Sequence, residues 1–368
     1  MSTFVKQFIQ DETLLPIIEK VESGERLTLE DGMKLYESND LLTIGQLANQ
    51  VNLQKNGNNV YFIENMYINP TNVCEAHCKF CGFRRDPDEE GAYTMNEEQL
   101  LEYVSKGYSP SLREFHIVGG HNHVVPFEYY LDTVRTLKKH YPDVTVKAYT
   151  AAEIVFFAKI SGLTEEEVLK EMIKAGLDTM PGGGAEILTE EYREKMSPEK
   201  ASTDEWLHVH HLAHNLGLKT HATMLYGSIE RLEERLIHMI RLRELQDQTN
   251  GFMVFIPLAI QPKKVTASIK RRTSAFDDMK TMAISRLMLD NFPHVKAYWI
   301  NIGTQLTQMA LNFGSSDIHG TLVEERISHA VGALSQSALT RDELVWLIKG
   351  AGKQPIERDT FYNVIKKY

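Results

Sequence analysis

A chain of 368 residues with 42 % hydrophobic and 9 % aromatic side chains can bury a sizeable core, which sets it apart from disordered sequences. Its formal net charge of −10 argues against nucleic acid or an anionic membrane surface as the main partner, because both select basic patches. No apolar run approaches the ~18 residues of a membrane span, and Lys6, Asp11, Glu12 and Glu19 interrupt the first stretch, so neither a transmembrane helix nor a secretory leader is expected.

The first 59 residues read as a helical extension. Leu14, Ile17, Ile18 and Val21 recur at helical spacing, as do Leu41, Leu42, Ile44, Leu47 and Ala48. From residue 60 the period changes. Short β-rich runs at 60–69, 114–118, 144–149, 177–180, 219–226, 252–258 and 295–301 alternate with amphipathic stretches. Thr94 with Glu97, Thr164 with Glu167 and Ser202 with Glu205 have the form of helix-start capping pairs. Seven strands alternating with helices predict an α/β barrel of the (β/α) TIM type over 60–302. The region 303–368 is expected to be mostly helical and to pack on the barrel.

Such barrels do their chemistry at the C-terminal ends of their strands. The residues after each predicted strand are therefore informative. In order they are the segment from Asn69 to Cys81, then Gly119-Gly120-His121-Asn122-His123, then Thr150 to Glu153. The fourth strand is followed by Pro181, three glycines, Ala185 and Glu186, the fifth by Tyr226, Gly227 and Glu230, the sixth by Gln261-Pro262. The seventh ends in Asn301 and Gly303. Glycines and polar groups thus gather at one rim, which predicts a single site there.

Cys74, Cys78 and Cys81 are the only cysteines and form CxxxCxxC. A secreted disulfide framework would use more cysteines, spread along the chain. Crowded, unpaired thiols point to a reducing cytoplasm and a metal site. Thiolates are the ligands of iron–sulfur clusters. Three ligands for four irons leave one iron open, as a catalytic site requires. Zinc, with His77 as a fourth ligand, is the rival reading.

This motif, with the aromatic Phe80 before its last cysteine and placed after the first barrel strand, resembles the radical S-adenosylmethionine (SAM) signature. The resemblance narrows further along. The segments 115–120, 126–130, 181–187, 222–227, 245–247, 251–257, 317–321 and 357–360 are similar to the menaquinone-pathway radical SAM enzymes. The His-Ile-Val-Gly-Gly strand end and residues 148–154 look like the aminofutalosine (aminodeoxyfutalosine) synthases rather than the cyclic dehypoxanthine futalosine synthases. A non-catalytic iron–sulfur or zinc module is the alternative of a different class.

The resemblance implies one [4Fe–4S] cluster on the three cysteines and SAM bound to the open iron. It implies addition of the deoxyadenosyl radical to 3-[(1-carboxyvinyl)oxy]benzoate, with loss of the carboxyl group, to give 6-amino-6-deoxyfutalosine. SAM is then consumed. A reducing electron donor such as flavodoxin or ferredoxin is a further expected partner. Phe80, Gly119, Gly120, Glu153, Glu186, Arg193 and Tyr226 become candidate SAM contacts. His121 and His123, at the same rim, become candidate substrate contacts.

Each has a plainer reading. Gly119-Gly120 and the 181–184 run would serve equally as tight turns. Arg193 would serve as a surface ion pair. His208, His210, His211 and His214 on the predicted helix 206–216 read as a solvated face, although His210 and His214 have i, i+4 spacing. Lys263, Lys264, Lys270, Arg271 and Arg272 read as a polar loop over the barrel mouth.

Overall fold

Helix starts in this chain are written as reciprocal caps. Thr28, Asn96, Thr150, Thr164, Ser202 and Thr340 each accept the N3 amide, and Asp31, Gln99, Glu153, Glu167, Glu205 and Glu343 reach back to the cap amide. The starts at Thr164 and Ser202 fall where the sequence places them. The start expected at Thr94 moves to Asn96, because the Thr94 hydroxyl is taken by Thr71 and Asn122.

The structure, a computed structural model, describes residues 9–261, 272–321, 327–330, 332–333, 335–336 and 338–368. Of the basic loop, only Arg272 falls within them; Pro262, Lys263, Lys264, Lys270 and Arg271 lie outside. Helices α1 (Leu15–Ser23), α2 (Leu29–Glu37) and α3 (Leu41–Asn56) open the chain. Strands β1 (Asn59–Phe62) and β2 (Asn65–Ile68) follow, then α4 (Glu97–Gly107), β3 (Glu114–Ile117), α5 (Phe127–His140) and β4 (Thr145–Ala148). Next come α6 (Ala151–Ser161), α7 (Glu165–Ala175), β5 (Thr179–Met180), α8 (Glu190–Met196), α9 (Thr203–Asn215) and β6 (Lys219–Tyr226). The chain continues through α10 (Leu232–Thr249), β7 (Phe252–Ala259), α11 (Ala275–Met288), β8 (His294–Ala297), α12 (Trp299–Ala310) and β9 (Asp317–Ile318). It ends with α13 (Ile327–Ala330), α14 (Arg341–Gly350), β10 (Gln354–Arg358) and β11 (Val364–Lys367).

Strands β2 to β9 pair in sequence order, all parallel. The single strand expected over 60–69 is broken at Ile63–Glu64 into β1 and β2. The break is where the run changes partners. Ile63 O accepts the Thr321 amide on one side, and Glu64 O accepts the Arg113 amide on the other. β1 pairs with β9 and β2 with β3, so the parallel ring returns to its own starting segment and closes. Gly320 permits this junction: a Cβ there would lie 1.9 Å from Ile63 O.

The region after 303 carries helices, as expected, but also β9, β10 and β11. β9 completes the ring, and β10 adds a parallel strand outside β1 with β11 antiparallel at the edge. β10 is buried almost throughout although it reads Gln-Pro-Ile-Glu-Arg, and so short and polar a run has neither the apolar alternation nor the period that would announce a buried strand. The seventh predicted strand also ends early, at Ala297, and Asn301 lies in the first turns of α12.

The α9 histidines correct another expectation. His210 is fully buried and His214 partly so, both facing the sheet. The Thr220 hydroxyl meets His210 Nδ1 at 2.9 Å and His214 Nε2 at 2.7 Å, and Thr249 meets His214 Nδ1 at 2.7 Å. Gly251 makes the room, since a Cβ there would strike the His214 ring. No helix among the described residues is long and apolar enough to cross a membrane.

Candidate active site

The loop after β2 is stapled from several directions. The Cys74 amide donates to Arg85 O, the Glu75 amide to His121 O, and the Lys79 amide to Met196 O. Asn122, which carried no signal in the sequence, bonds both Thr71 and Thr94 and so ties the β3 rim to this loop. The three cysteines open onto one cavity with Phe80 beside them. Burial pushes the Cys78 thiol up to about 12, opposed chiefly by the Lys200 ammonium. Burial raises Cys74 as well.

Lys200 is a site residue at the mouth that sequence reasoning missed. It lies 2.9 Å from Glu186 Oε1 and 5.6 Å from the centroid of the Phe80 ring. Burial disfavours its charge, but Cys78 and Glu186 hold the ammonium above its ordinary range. A lone lysine between two helices has no motif to announce it.

The glycines of the rim are required by close backbone approach. At Gly120 a Cβ would fall 2.0 Å from Val73 O and 2.9 Å from Cys74 Cβ. At Gly182 it would fall 2.6 Å from the Ala222 backbone. Glu153 turns its carboxylate on the rim: Oε1 accepts the Gly119 amide at 3.1 Å and Oε2 the Thr150 amide at 2.7 Å. Burial raises it to about 7, against those hydrogen bonds. Glu186 sits at φ +48°, in the left-handed region, pinned by Lys200.

Three candidates are displaced. Arg193 spends its guanidinium on the carbonyls of Gly184, Ala185 and Ala201, beneath the glycine turn, and does not line the cavity. Tyr226 points outward and donates to Asp278 Oδ1 at 2.8 Å, because alternation on β6 turns His221, Thr223 and Leu225 inward instead. His123 is exposed and off the cavity. His121 does line it, stacked on Phe156 with centroids 4.9 Å apart, and burial pulls it down to about 3.

His77, the fourth ligand of a zinc reading, is exposed and held by Glu199 at 2.9 Å. No three His, Cys, Asp or Glu side chains among the described residues converge on a single-ion site. The donor set fits a thiolate-held cluster instead: three thiols lining one cavity, a half-buried cation beside them, and glycines at the neighbouring strand ends that leave backbone rather than side chains on the lining. The cavity measures about 290 Å³ and runs from the cysteines down into the ring of strands.

Residues 68–242 match the radical SAM superfamily, and 249–367 match the CofH/MqnC C-terminal region. An aminodeoxyfutalosine synthase of Thermus thermophilus is 48 % identical, covering 97 % of each chain. This chain belongs to the radical SAM superfamily. A second aminodeoxyfutalosine synthase, from Streptomyces coelicolor, is 44 % identical over 95 % of this radical SAM chain and 93 % of its own. A cyclic dehypoxanthine futalosine synthase of Halalkalibacterium halodurans is 35 % identical over 96 % and 95 %. Among solved structures, methylornithine synthase (PylB) superposes with a TM-score of 0.73 at 17 % identity, covering 92 % of this chain and 96 % of that one. That likeness concerns the barrel. The radical SAM family uses a [4Fe–4S] cluster and SAM, and the CxxxCxxC of this chain sits where the barrel opens.

Proposed function

We propose that this radical SAM enzyme is an aminodeoxyfutalosine synthase of menaquinone biosynthesis. It joins the adenosyl part of SAM to 3-[(1-carboxyvinyl)oxy]benzoate, with loss of a carboxyl group, giving 6-amino-6-deoxyfutalosine. The observation that carries this reading is the full-length likeness to two synthases of that name, greater than the likeness to the cyclase. A low-potential donor of the flavodoxin or ferredoxin class and a cytoplasmic location belong to the same reading.

Cys74, Cys78 and Cys81 would hold the cluster and leave one iron for SAM. When bound, the cluster supplies the electron that cleaves SAM. Gly119 and Gly182 to Gly184 leave backbone, not side chains, facing that ligand. Glu153 holds the Gly119 and Thr150 amides in place. Val118, Leu225, Ile256 and Leu258 form an apolar belt below. It keeps water from a carbon radical and seats the aromatic ring.

The test is product identity. Addition to the double bond consumes the adenosyl group, so adenine-labelled SAM with dithionite and the enolpyruvyl benzoate should give labelled aminodeoxyfutalosine and little free 5′-deoxyadenosine. Stoichiometric free deoxyadenosine with turnover of dehypoxanthine futalosine would make the cyclase the right assignment.

A further inference from the structure

Below the apolar belt the cavity ends on a floor of ionisable side chains. His116 from β3, Lys147 from β4, His221 from β6, Lys296 from β8 and His319 just after β9 all line it. Lys147, His221, Lys296 and His319 are each at most 2 % exposed. Tyr67 on β2 stacks on His116 with centroids 4.2 Å apart, and Tyr298 packs on His319 at 4.4 Å.

Charge on this floor does not balance. Beneath it stand Glu114, Asp317 and Arg358, all buried. Lys147 Nζ donates to Glu114 Oε1 at 2.5 Å, and Arg358 donates to Asp317 Oδ2 at 2.7 Å. Tyr362 also donates to Asp317 Oδ2. Lys296 Nζ is left 3.6 Å from that same oxygen, with no hydrogen bond to any described residue. Three cations therefore share two carboxylates. Burial pulls Lys296 down to about 8, as expected of an ammonium short of counter-charge.

The imidazoles are short of partners too. Both ring nitrogens of His319, Nδ1 of His116 and Nε2 of His221 are buried without a hydrogen bond. A neutral imidazole always carries one N–H. A buried donor without an acceptor is costly, and native structures rarely leave several together. The surplus ammonium and these imidazoles meet at one end of one cavity, whose other end holds the cysteines.

We propose that this floor is an anion subsite that takes the ring carboxylate of the aromatic co-substrate, with Lys296 as its charge partner and His319 as a direct donor. The inference rests on the synthase reading above. The enolpyruvyl carbons must lie near SAM, so the carboxylate beside them stays at the mouth. The ring carboxylate is the anion left to reach inward, with the ring in the belt. The distribution of residues sets the order: donors at the bottom, aliphatic side chains between, glycines and thiols at the top.

The test uses reconstituted holoprotein with SAM and no reductant, so that binding is read by calorimetry without turnover. The wild type should bind 3-[(1-carboxyvinyl)oxy]benzoate at least tenfold more tightly than 2-phenoxyacrylate, which lacks the ring carboxylate. Lys296→Met and His319→Phe should each erase that preference. They should leave phenoxyacrylate affinity and the SAM-perturbed cluster spectrum in place. Two variants guard against one failing to fold. A wild type that binds both ligands equally, or folded variants that keep the preference, overturns the subsite. If aminodeoxyfutalosine is still made in that case, the synthase reading survives. If reduced wild type makes none, that reading fails on its own account.

Discussion

At the mouth of the barrel the chemistry comes from one loop; at its floor it comes from four strands and the residue that follows a fifth. The three cysteines and Phe80 lie within eight residues of sequence, and the fold only has to present them. His116, Lys147, His221, Lys296 and His319 meet only because parallel strands bring inward positions together. Contiguous ligands serve a cofactor shared by a whole superfamily. Dispersed residues serve one substrate, and each is replaceable alone. The first arrangement fixes the class of chemistry, the second its object.

The largest effect should come from the loop. Cys74→Ala, Cys78→Ala or Cys81→Ala should each abolish SAM cleavage, because no other thiol is present to take the vacant place. Deoxyadenosyl products by chromatography and iron per chain check this. A cysteine variant with near-normal turnover would break the contrast at its first step.

Next is Gly120→Val. The added Cβ must displace Val73 O and Cys74 Cβ, both part of the cluster loop. Overpacking costs about 1–3 kcal/mol, but iron loading should fall further than stability does, and turnover about a hundredfold. Full iron content together with a lowered Tm would mean that the glycine is only a turn.

Lys200→Met probes the mouth's charge. It strands Glu186 in a buried site, and breaking such a pair costs about 3–5 kcal/mol. The double variant Lys200→Met/Glu186→Gln should recover most of that in denaturant unfolding. Cluster loading should remain low in the double variant, since Lys200 is the half-buried cation that opposes the rise in the Cys78 thiol. Recovery of both would make the pair purely structural.

How much was legible follows the same divide. The alternation of short strands and capped helices gave away the barrel, and CxxxCxxC its cofactor. The closing strand β9 and the outer strand β10 did not show, because two to five buried residues carry no period. Arg193 and Tyr226 were misplaced for a reason visible only in three dimensions: one serves the carbonyls behind a glycine turn, the other sits on the outward parity of β6. Lys200 and the floor residues were missed because a single lysine or histidine has the same one-letter signal whether it faces water or a cavity.

The smallest effect concerns the floor and acid. Burial holds His221 and His319 well below their ordinary value of 6.5. The folded chain then refuses protons that the unfolded chain accepts. Stability conferred by each neutral imidazole is present above pH 6.5 and is lost as pH falls below it. At pH 5.5 the loss is about 1.4 kcal/mol per histidine relative to pH 7.5. Glu153 acts oppositely: raised to about 7, it is protonated more readily when folded, so its contribution grows as pH falls through 7. His319→Phe should therefore narrow the gap in unfolding free energy between pH 7.5 and 5.5 by about 1.4 kcal/mol. Bound enolpyruvyl benzoate should narrow it too in the wild type, because a carboxylate on the floor favours the imidazolium form. A gap that neither the substitution nor the ligand alters would mean that acid does not act through the floor.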